Sequence, residues 1–371
     1  MSAAGPPQGA NAPLDGQAVA RLPAVEELHK ANVGERHALR KRGGKIQRRP
    51  IHGVLLLDKP LGLSSNQALQ KAKWLLRAEK AGHTGTLDPL ATGVLPLCFG
   101  AATKFSQIQL EADKTYEALL VLGEKTTTAD AEGDVIETRP VPPITLELLA
   151  ELTQRFTGAL AQIPPMYSAL KKDGKALYEY ARAGREVERE ARHIVIFRLD
   201  MALAHDPIGR VAIKIIVKCS KGTYIRTLGE DIGEAIGCGA HLGSLRRIET
   251  GGFLVSQCIS LGALEAMTEA EREAQLLPPQ SLVSACPVVI LDADNAGRFL
   301  SGLRRRGEPG QFGADAPLVQ VYGAKPRAFL GSAHITANEL IPQRLLSPIE
   351  VQDILRADAE SLRDRSTVLS V

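Results

Sequence analysis

Cysteine is scarce: the chain of 371 residues holds Cys98, Cys219, Cys238, Cys258 and Cys286, an odd and widely spaced set with no CxxC pair. Such a set supplies neither a disulfide framework nor a zinc site, and it suits a reducing cytosol. No stretch is apolar for long enough to cross a bilayer. The segment Met1 to Ala18 is Gly, Pro, Ala and Gln without a charged start followed by an apolar run, so no secretory signal is expected. A large charge of one sign is also absent. The 45 Lys and Arg against 42 Asp and Glu leave +3, so a nucleic-acid partner must be sought in local clusters and not in the total. No internal repeat is visible. No Gly-Lys-Ser/Thr closes a phosphate-cradling loop, and Asp130-Ala-Glu-Gly-Asp134 lacks calcium-loop spacing.

What is present is ample apolar material: 44% of the residues are hydrophobic, enough at this length for a large core and about two domains. Residues 1–50 lack apolar periodicity, and Arg36 to Arg49 contains seven Arg or Lys and no acid, which predicts a basic, disordered tail. The core begins at Gly53-Val-Leu-Leu-Leu-Asp58, a buried strand ending in the Lys59-Pro60 turn. Ser64 or Ser65 then caps a helix that turns Leu69, Ala72, Leu75 and Leu76 inward, with Lys71, Lys73 and Arg77 outward. Tyr116 to Gly123 and Val211 to Cys219 read as half-buried strands. No βαβ period recurs, so the expected class is α+β on a mixed, largely antiparallel sheet. Leu264 to Pro287 reads as helix and connector. From Val288 a small β-rich unit follows, with strand-like pieces at Phe299–Arg306, Leu318–Tyr322 and Phe329–Ser332. The divisions expected are a catalytic domain over 51–286, a module over 287–348 and a C-terminal tail over 349–371.

Three segments could carry chemistry. In Gly82-His-Thr-Gly-Thr-Leu-Asp88-Pro-Leu-Ala-Thr-Gly93, glycines let the backbone turn around one imidazole and one carboxylate; the alternative is that Asp88 merely caps a helix beginning at Pro89. His83 and Asp88 have no neighbouring His or Cys ligands, so no metal is expected. In Cys219-Ser-Lys-Gly-Thr-Tyr224-Ile-Arg226-Thr-Leu, Thr223 is placed to cap a helix buried through Ile225, Leu228 and Ile232, leaving Tyr224 and Arg226 off that stripe as functional groups, as a solvated face or in a structural ion pair. In Asp113-Lys-Thr-Tyr116-Glu-Ala, the tyrosine at the head of a strand either stacks on a base or belongs to the core.

The chain resembles the bacterial TruB family, tRNA pseudouridine-55 synthases. The resemblance rests on Gly53-Val-Leu-Leu-Leu-Asp-Lys-Pro60, the Gly82 to Gly93 loop, Gly100-Ala-Ala-Thr-Lys104, Tyr116, Thr126-Thr-Thr-Ala-Asp130, Ile163-Pro-Pro-Met-Tyr-Ser-Ala-Leu-Lys171, Lys221-Gly-Thr-Tyr-Ile-Arg226 and Gly237-Cys-Gly-Ala-His241 through Leu245-Arg-Arg247. These occur in the family's order over roughly residues 50 to 345.

The resemblance implies a pseudouridine synthase-like catalytic domain and a PUA-like RNA-binding module. It implies Asp88 as nucleophile, paired with Arg226 and so held charged. It places Tyr116 on a flipped uracil and in proton transfer, with Tyr224 and Leu245 lining the base pocket and His83 filling the gap the base leaves. Lys59, Lys171, Lys172 and Arg246 are phosphate-contact candidates. An RNA-gripping insertion over about 160–190, carrying Lys175, Arg182 and Arg185 around Tyr178 and Tyr180, and the arginines Arg304–Arg306 and Arg344 of the module would add to them. The implied partner is the TΨC arm of tRNA, bound by a cytoplasmic monomer without cofactor, metal, membrane or obligate protein partner. Two rivals share these motifs: the RNA-guided archaeal and eukaryotic relative, and a tRNA-folding chaperone that does not use the nucleophile.

Overall fold

The computed structural model describes residues 47–308 and 311–368; most of the basic segment, up to Ile46, lies outside them. Arg49, also expected in the tail, is tied to the folded chain. Its guanidinium pairs with Glu269 and Glu273, and its carbonyl accepts from the Glu79 amide.

The sheet that dominates the molecule has ten strands: β1 (Gly53–Lys59), β2 (Ala81–His83), β3 (Ala91–Phe99), β4 (Lys114–Leu122), β5 (Gly158–Gln162), β6 (Arg192–His205), β7 (Val211–Cys219), β8 (Ala240–Thr250), β9 (Phe253–Leu254) and β10 (Ile259–Ser260). Its path is β10-β1-β3-β8-β4-β7-β6-β5, with β2 beside β3 and β9 beside β8. Only β10 with β1 and β3 with β8 run parallel. The fold is therefore α+β on a mixed, largely antiparallel sheet.

β1 shows why its sequence does not alternate. Leu55 and Leu57 enter one core while Val54 and Leu56 enter another on the opposite face, so both faces are dry and a continuous apolar run results. The following helix, Ser65–Leu75, starts as its sequence predicts: Ser64 accepts from the Gln67 amide and Gln67 reaches back to the Ser64 amide, a reciprocal cap. Ala68, Leu69, Ala72 and Leu75 are its buried side. The stretch expected as one helix and connector from Leu264 is instead two short helices, Leu261–Ala266 and Glu269–Ala274, then a 3-10 turn at Pro279–Val283; Thr268 caps the second and interrupts the first.

Beyond Val288 a separate five-stranded sheet runs in the order Val288–Leu291, Ala316–Ala324, Arg327–Thr336, Glu339–Leu345, Arg305–Arg306. Phe299 and Leu300, expected in a strand, instead end the helix Ala293–Leu300, because Asp292 caps it by accepting from the Asn295 amide. Only Arg305 and Arg306 of that stretch pair as a strand. Phe329 packs 5.3 Å from Phe105 and 5.4 Å from Tyr322 between ring centroids, joining this sheet to the Val54 and Leu56 face of β1. The last helix, Pro348–Val368, adds Val351 and Ile354 to the same contact, and Glu350 pairs with Lys104 at 2.5 Å. Among the described residues no helix is long and apolar enough to cross a membrane.

Candidate active site

Between β2 and β3 the chain makes a loop whose shape is fixed by short-range bonds. Buried Ser65 donates to the Leu87 carbonyl at 3.0 Å and accepts from the Leu87 amide at 2.7 Å. The Thr84 amide donates to Pro96 and the Gly62 amide to Pro89. Asp88 stands near the end of this pinned loop. No helix follows it, since Pro89 and Leu90 lead straight into β3, so the capping alternative is excluded.

Arg226 comes to Asp88 from the first turn of the helix Ile225–Ile236. Its Nη2 lies 2.9 Å from Asp88 Oδ2 and donates to the Tyr167 carbonyl at 2.7 Å. Nη1 donates to the Thr128 carbonyl at 3.1 Å and lies 3.7 Å from Asp130 Oδ2. The helical stripe pattern leaves Arg226 off the buried side, yet the arginine side chain is only 6% accessible. Tertiary partners in the Thr126–Asp130 turn and at Tyr167 drew it inward, which a single-helix pattern does not encode. Thr223 is not the cap either: its hydroxyl donates to the Ser220 carbonyl, and Tyr224 precedes the helix without a side-chain cap.

Asp88 keeps 40% of its side-chain area accessible, yet the carboxyl is set in a protein wall. Desolvation raises its pKa above the usual carboxylate value; Arg226 opposes the rise and Asp130 adds to it. The net direction is therefore opposite to the one expected from pairing alone.

Of the remaining residues, two tyrosines come within reach of this pair. Tyr116 on β4 and Tyr224 before the helix both feel the Asp88 charge, and burial raises both phenols. Tyr224 is clamped through its backbone: its amide donates to Gln162 Oε1 at 2.8 Å and its carbonyl accepts from Gln162 Nε2 at 3.1 Å. Leu245 on β8 is opposite Ala91 on one side and Ala118 on the other, which sets it between the strands that follow Asp88 and carry Tyr116. His83 ends β2 with a buried Nδ1 that has no partner; burial and then Arg247 lower its pKa, so the ring is neutral at pH 7.

The phosphate-contact candidates separate. Lys59 is fully buried, donates to the Pro60 and Leu63 carbonyls, and is lowered to about 8, chiefly by desolvation. It braces the turn after β1 and is not a surface contact, because the apolar strand that precedes it carries it into the interior. Arg246 is bidentate on Asp58, at 2.7 and 3.1 Å, beside a hollow of about 470 Å3. Lys171 and Lys172 lie on a two-residue hairpin with Lys175–Ala176, and Lys172 donates to the Glu188 carbonyl at 2.7 Å.

Three contributors escaped the sequence reading. Asp130 is buried, accepting from Thr128 Oγ1 at 2.5 Å and the Glu132 amide at 3.1 Å. Gln162 and Arg247 are buried as well. Asp130 and Arg247 lay inside quoted motifs, which was the available signal; Gln162 offered none. A second hollow, about 620 Å3 between Leu146–Thr157 and Met201, holds no ionisable side chain, so chemistry and not volume points to Asp88.

Three family descriptions match in sequence: TruB family pseudouridylate synthase (N terminal domain) over 73–225, tRNA pseudouridylate synthase B C-terminal domain over 226–284, and pseudouridine synthase II TruB, C-terminal, over 287–346. The chain is 61% identical over 318 residues to tRNA pseudouridine synthase B of Verminephrobacter eiseniae, covering 85% of this chain and 95% of that protein. It is 54% identical over 305 residues to the protein of the same name from Cupriavidus pinatubonensis, covering 81% and 96%. In fold it resembles a chain of a Cbf5-Nop10-Gar1 complex (TM-score 0.59, 24% identity, covering 82% of this chain and 87% of that one). It also resembles one of an H/ACA RNP bound to a substrate RNA containing 2'-deoxyuridine (TM-score 0.58, 23% identity, 80% and 86%). With a relative matched at this identity along nearly its whole length, and with family descriptions running from 73 to 346, the chain belongs to the TruB family of pseudouridine synthases.

Proposed function

We propose that the chain isomerises uridine 55 in the TΨC arm of tRNA to pseudouridine, with Asp88 as the nucleophile. The observation that carries this is the Asp88 carboxylate, accessible in a pinned loop and oriented at 2.9 Å by a buried arginine. Support for the substrate comes from relatives named tRNA pseudouridine synthase B.

The reaction breaks the bond from ribose C1′ to uracil N1, turns the base and joins C1′ to C5; the C5 proton is lost and N1 takes one up. It is redox-neutral and needs no energy source. A carboxylate serves by attacking C1′ or by assisting elimination to a glycal, chemistry akin to that of retaining glycosidases. Within a folded arm the sugar is out of reach, so the nucleotide is flipped out first. Tyr116 then stacks on the uracil and takes part in proton transfer, Tyr224 and Leu245 hold its edges, and neutral His83 fills the vacated place in the stack. Arg226 holds Asp88 in line.

The substrate's affinity comes from phosphate contacts. In the 160–190 insertion, Arg182 lies over Tyr178 at 5.2 Å and Arg185 over Tyr180 at 5.7 Å, a basic and aromatic surface of the kind that takes RNA. Lys171, Lys172 and Arg246 add further cations for the phosphates. The chain works as a cytoplasmic monomer, with a catalytic domain over 51–286 and an RNA-binding module over 287–348. The insertion favours a stand-alone enzyme over a guide-dependent one.

The test is tritium release from C5-tritiated uridine in an unmodified tRNA transcript. Wild type should release it; Asp88→Asn should bind the transcript within about twofold of wild type and release none, and a transcript altered only at uridine 55 should release none. Persistent turnover by Asp88→Asn would overturn the nucleophile assignment. Release that required an added guide RNA would replace the stand-alone reading with the guide-dependent one.

A further inference from the structure

Arg247 is the largest side chain buried to within 2% of full burial. An interior guanidinium normally has a carboxylate partner, because a buried charge is costly when unpaired. Among the described residues none lies within ion-pairing distance of Arg247. Its Nε donates to the Val94 carbonyl at 2.8 Å, and Nη2 approaches the Gly85 carbonyl at 3.4 Å. The charge is thus bound by backbone oxygens, one of which belongs to the loop that carries Asp88.

The position of Arg247 in the sheet explains the choice. On β8 it is opposite Gly93 of β3 and opposite Tyr116 of β4, so it is the residue between the strand that leaves the Asp88 loop and the strand that presents Tyr116. Side chains directly opposite in an antiparallel pair share a face, and the guanidinium charge opposes the rise that burial imposes on the Tyr116 phenol. The approach to β3 is so tight that a Cβ on Gly93 would lie 2.1 Å from the Arg247 carbonyl oxygen.

We propose that Arg247 is a positioning residue of the isomerisation, one buried guanidinium that fixes the Gly85 end of the Asp88 loop against Tyr116 and so sets the spacing of the nucleophile and the stacking phenol. The inference rests on the function proposed above. A brace to the Val94 and Gly85 carbonyls needs donors but not a formal charge, and burying the charge adds a desolvation cost. The retained charge acts on Tyr116, whose phenol also feels Cys219 on β7 and Asp88, and on Lys59, His83 and Lys114.

The experiment compares wild type, Arg247→Met and Arg247→Lys by single-turnover tritium release, by tRNA affinity, and by titration of the Tyr116 Cζ signal in 13C-tyrosine protein, assigned with Tyr116→Phe. Arg247→Met should fold and bind tRNA within about twofold, lose at least tenfold in the rate of release, and show Tyr116 titrating at higher pH than in wild type. Arg247→Lys, which keeps the charge and loses the fork, should restore the titration more than the rate. A wild-type rate in Arg247→Met, or a loss of release proportional to lost folded protein with an unchanged Tyr116 titration, would overturn the proposal. No release by wild-type protein would instead remove the functional reading on which it rests.

Discussion

At the level of single residues the proposed chemistry rests on Asp88 and Arg226, and the balance between burial and pairing can be read in a pH profile. Burial holds the Asp88 pKa above the usual carboxylate range in spite of Arg226. A nucleophile must be ionised, so activity should be complete above that raised pKa and fall as pH drops through it, at a higher pH than an unperturbed aspartate would give. Single-turnover rates from pH 4 to 8, about the range in which such a group titrates, check this; an acid limb at or below the ordinary aspartate value would contradict it. Replacing Arg226 by Met leaves buried Asp130 and the Asp88 carboxyl without their cation. The expected loss is about 3–5 kcal/mol of stability, measured by denaturant unfolding, together with an acid limb moved further toward neutral pH.

Elements hold these residues by close approach. β3 and β8 run parallel at Gly93, where φ is +102° and a Cβ would meet the Arg247 carbonyl. Gly93→Ala combines a backbone conformation that costs about 1–3 kcal/mol for a residue with a side chain with a clash that parts the two strands behind the loop. The variant should melt well below wild type and lose turnover even at temperatures where it is folded, because the Leu245 wall and the Asp88 loop are then displaced together. At the first helix, Ser64→Ala removes one half of a reciprocal cap and should cost about 1 kcal/mol with little effect on turnover, since the buried Ser65 and not Ser64 holds the loop.

For the whole molecule, the two sheets act through a shared apolar contact and a distributed positive surface. Phe329 is buried between Phe105 and Tyr322, so Phe329→Ala should cost about 3–5 kcal/mol and loosen the C-terminal sheet, seen as faster proteolysis near the Pro287 connection. RNA affinity tests the other property. Removing one cation that neutralises a phosphate lowers the slope of log affinity against log salt by about 0.9 on duplex-like charge density. Replacing Lys171 and Lys172 together should therefore reduce the slope by about 2 and leave the single-turnover rate at saturating enzyme unchanged; an unaltered slope would remove them from the interface.

The sequence alone determined the local pieces. The unbroken apolar run of β1, the Ser64 cap and the alternation of β7 were legible because each depends on residues a few positions apart. Ordered motifs also named Asp88, Tyr116, Tyr224, Leu245 and Arg226 as candidates for the proposed site. Tertiary structure decided what local pattern could not express. Lys59 was read as a phosphate contact, the helical pattern of Arg226 said nothing of its burial, and Arg247 was passed over. All three are buried because carbonyl oxygens, many from distant segments such as Thr128, Tyr167, Gly85 and Val94, receive their donors. A charge can leave water only where such partners converge, and that convergence belongs to the packed sheet and not to any stretch of chain. The same holds for the sign of the Asp88 shift: the pair with Arg226 was foreseeable, but the desolvation that outweighs it exists only once the folded chain packs around the loop.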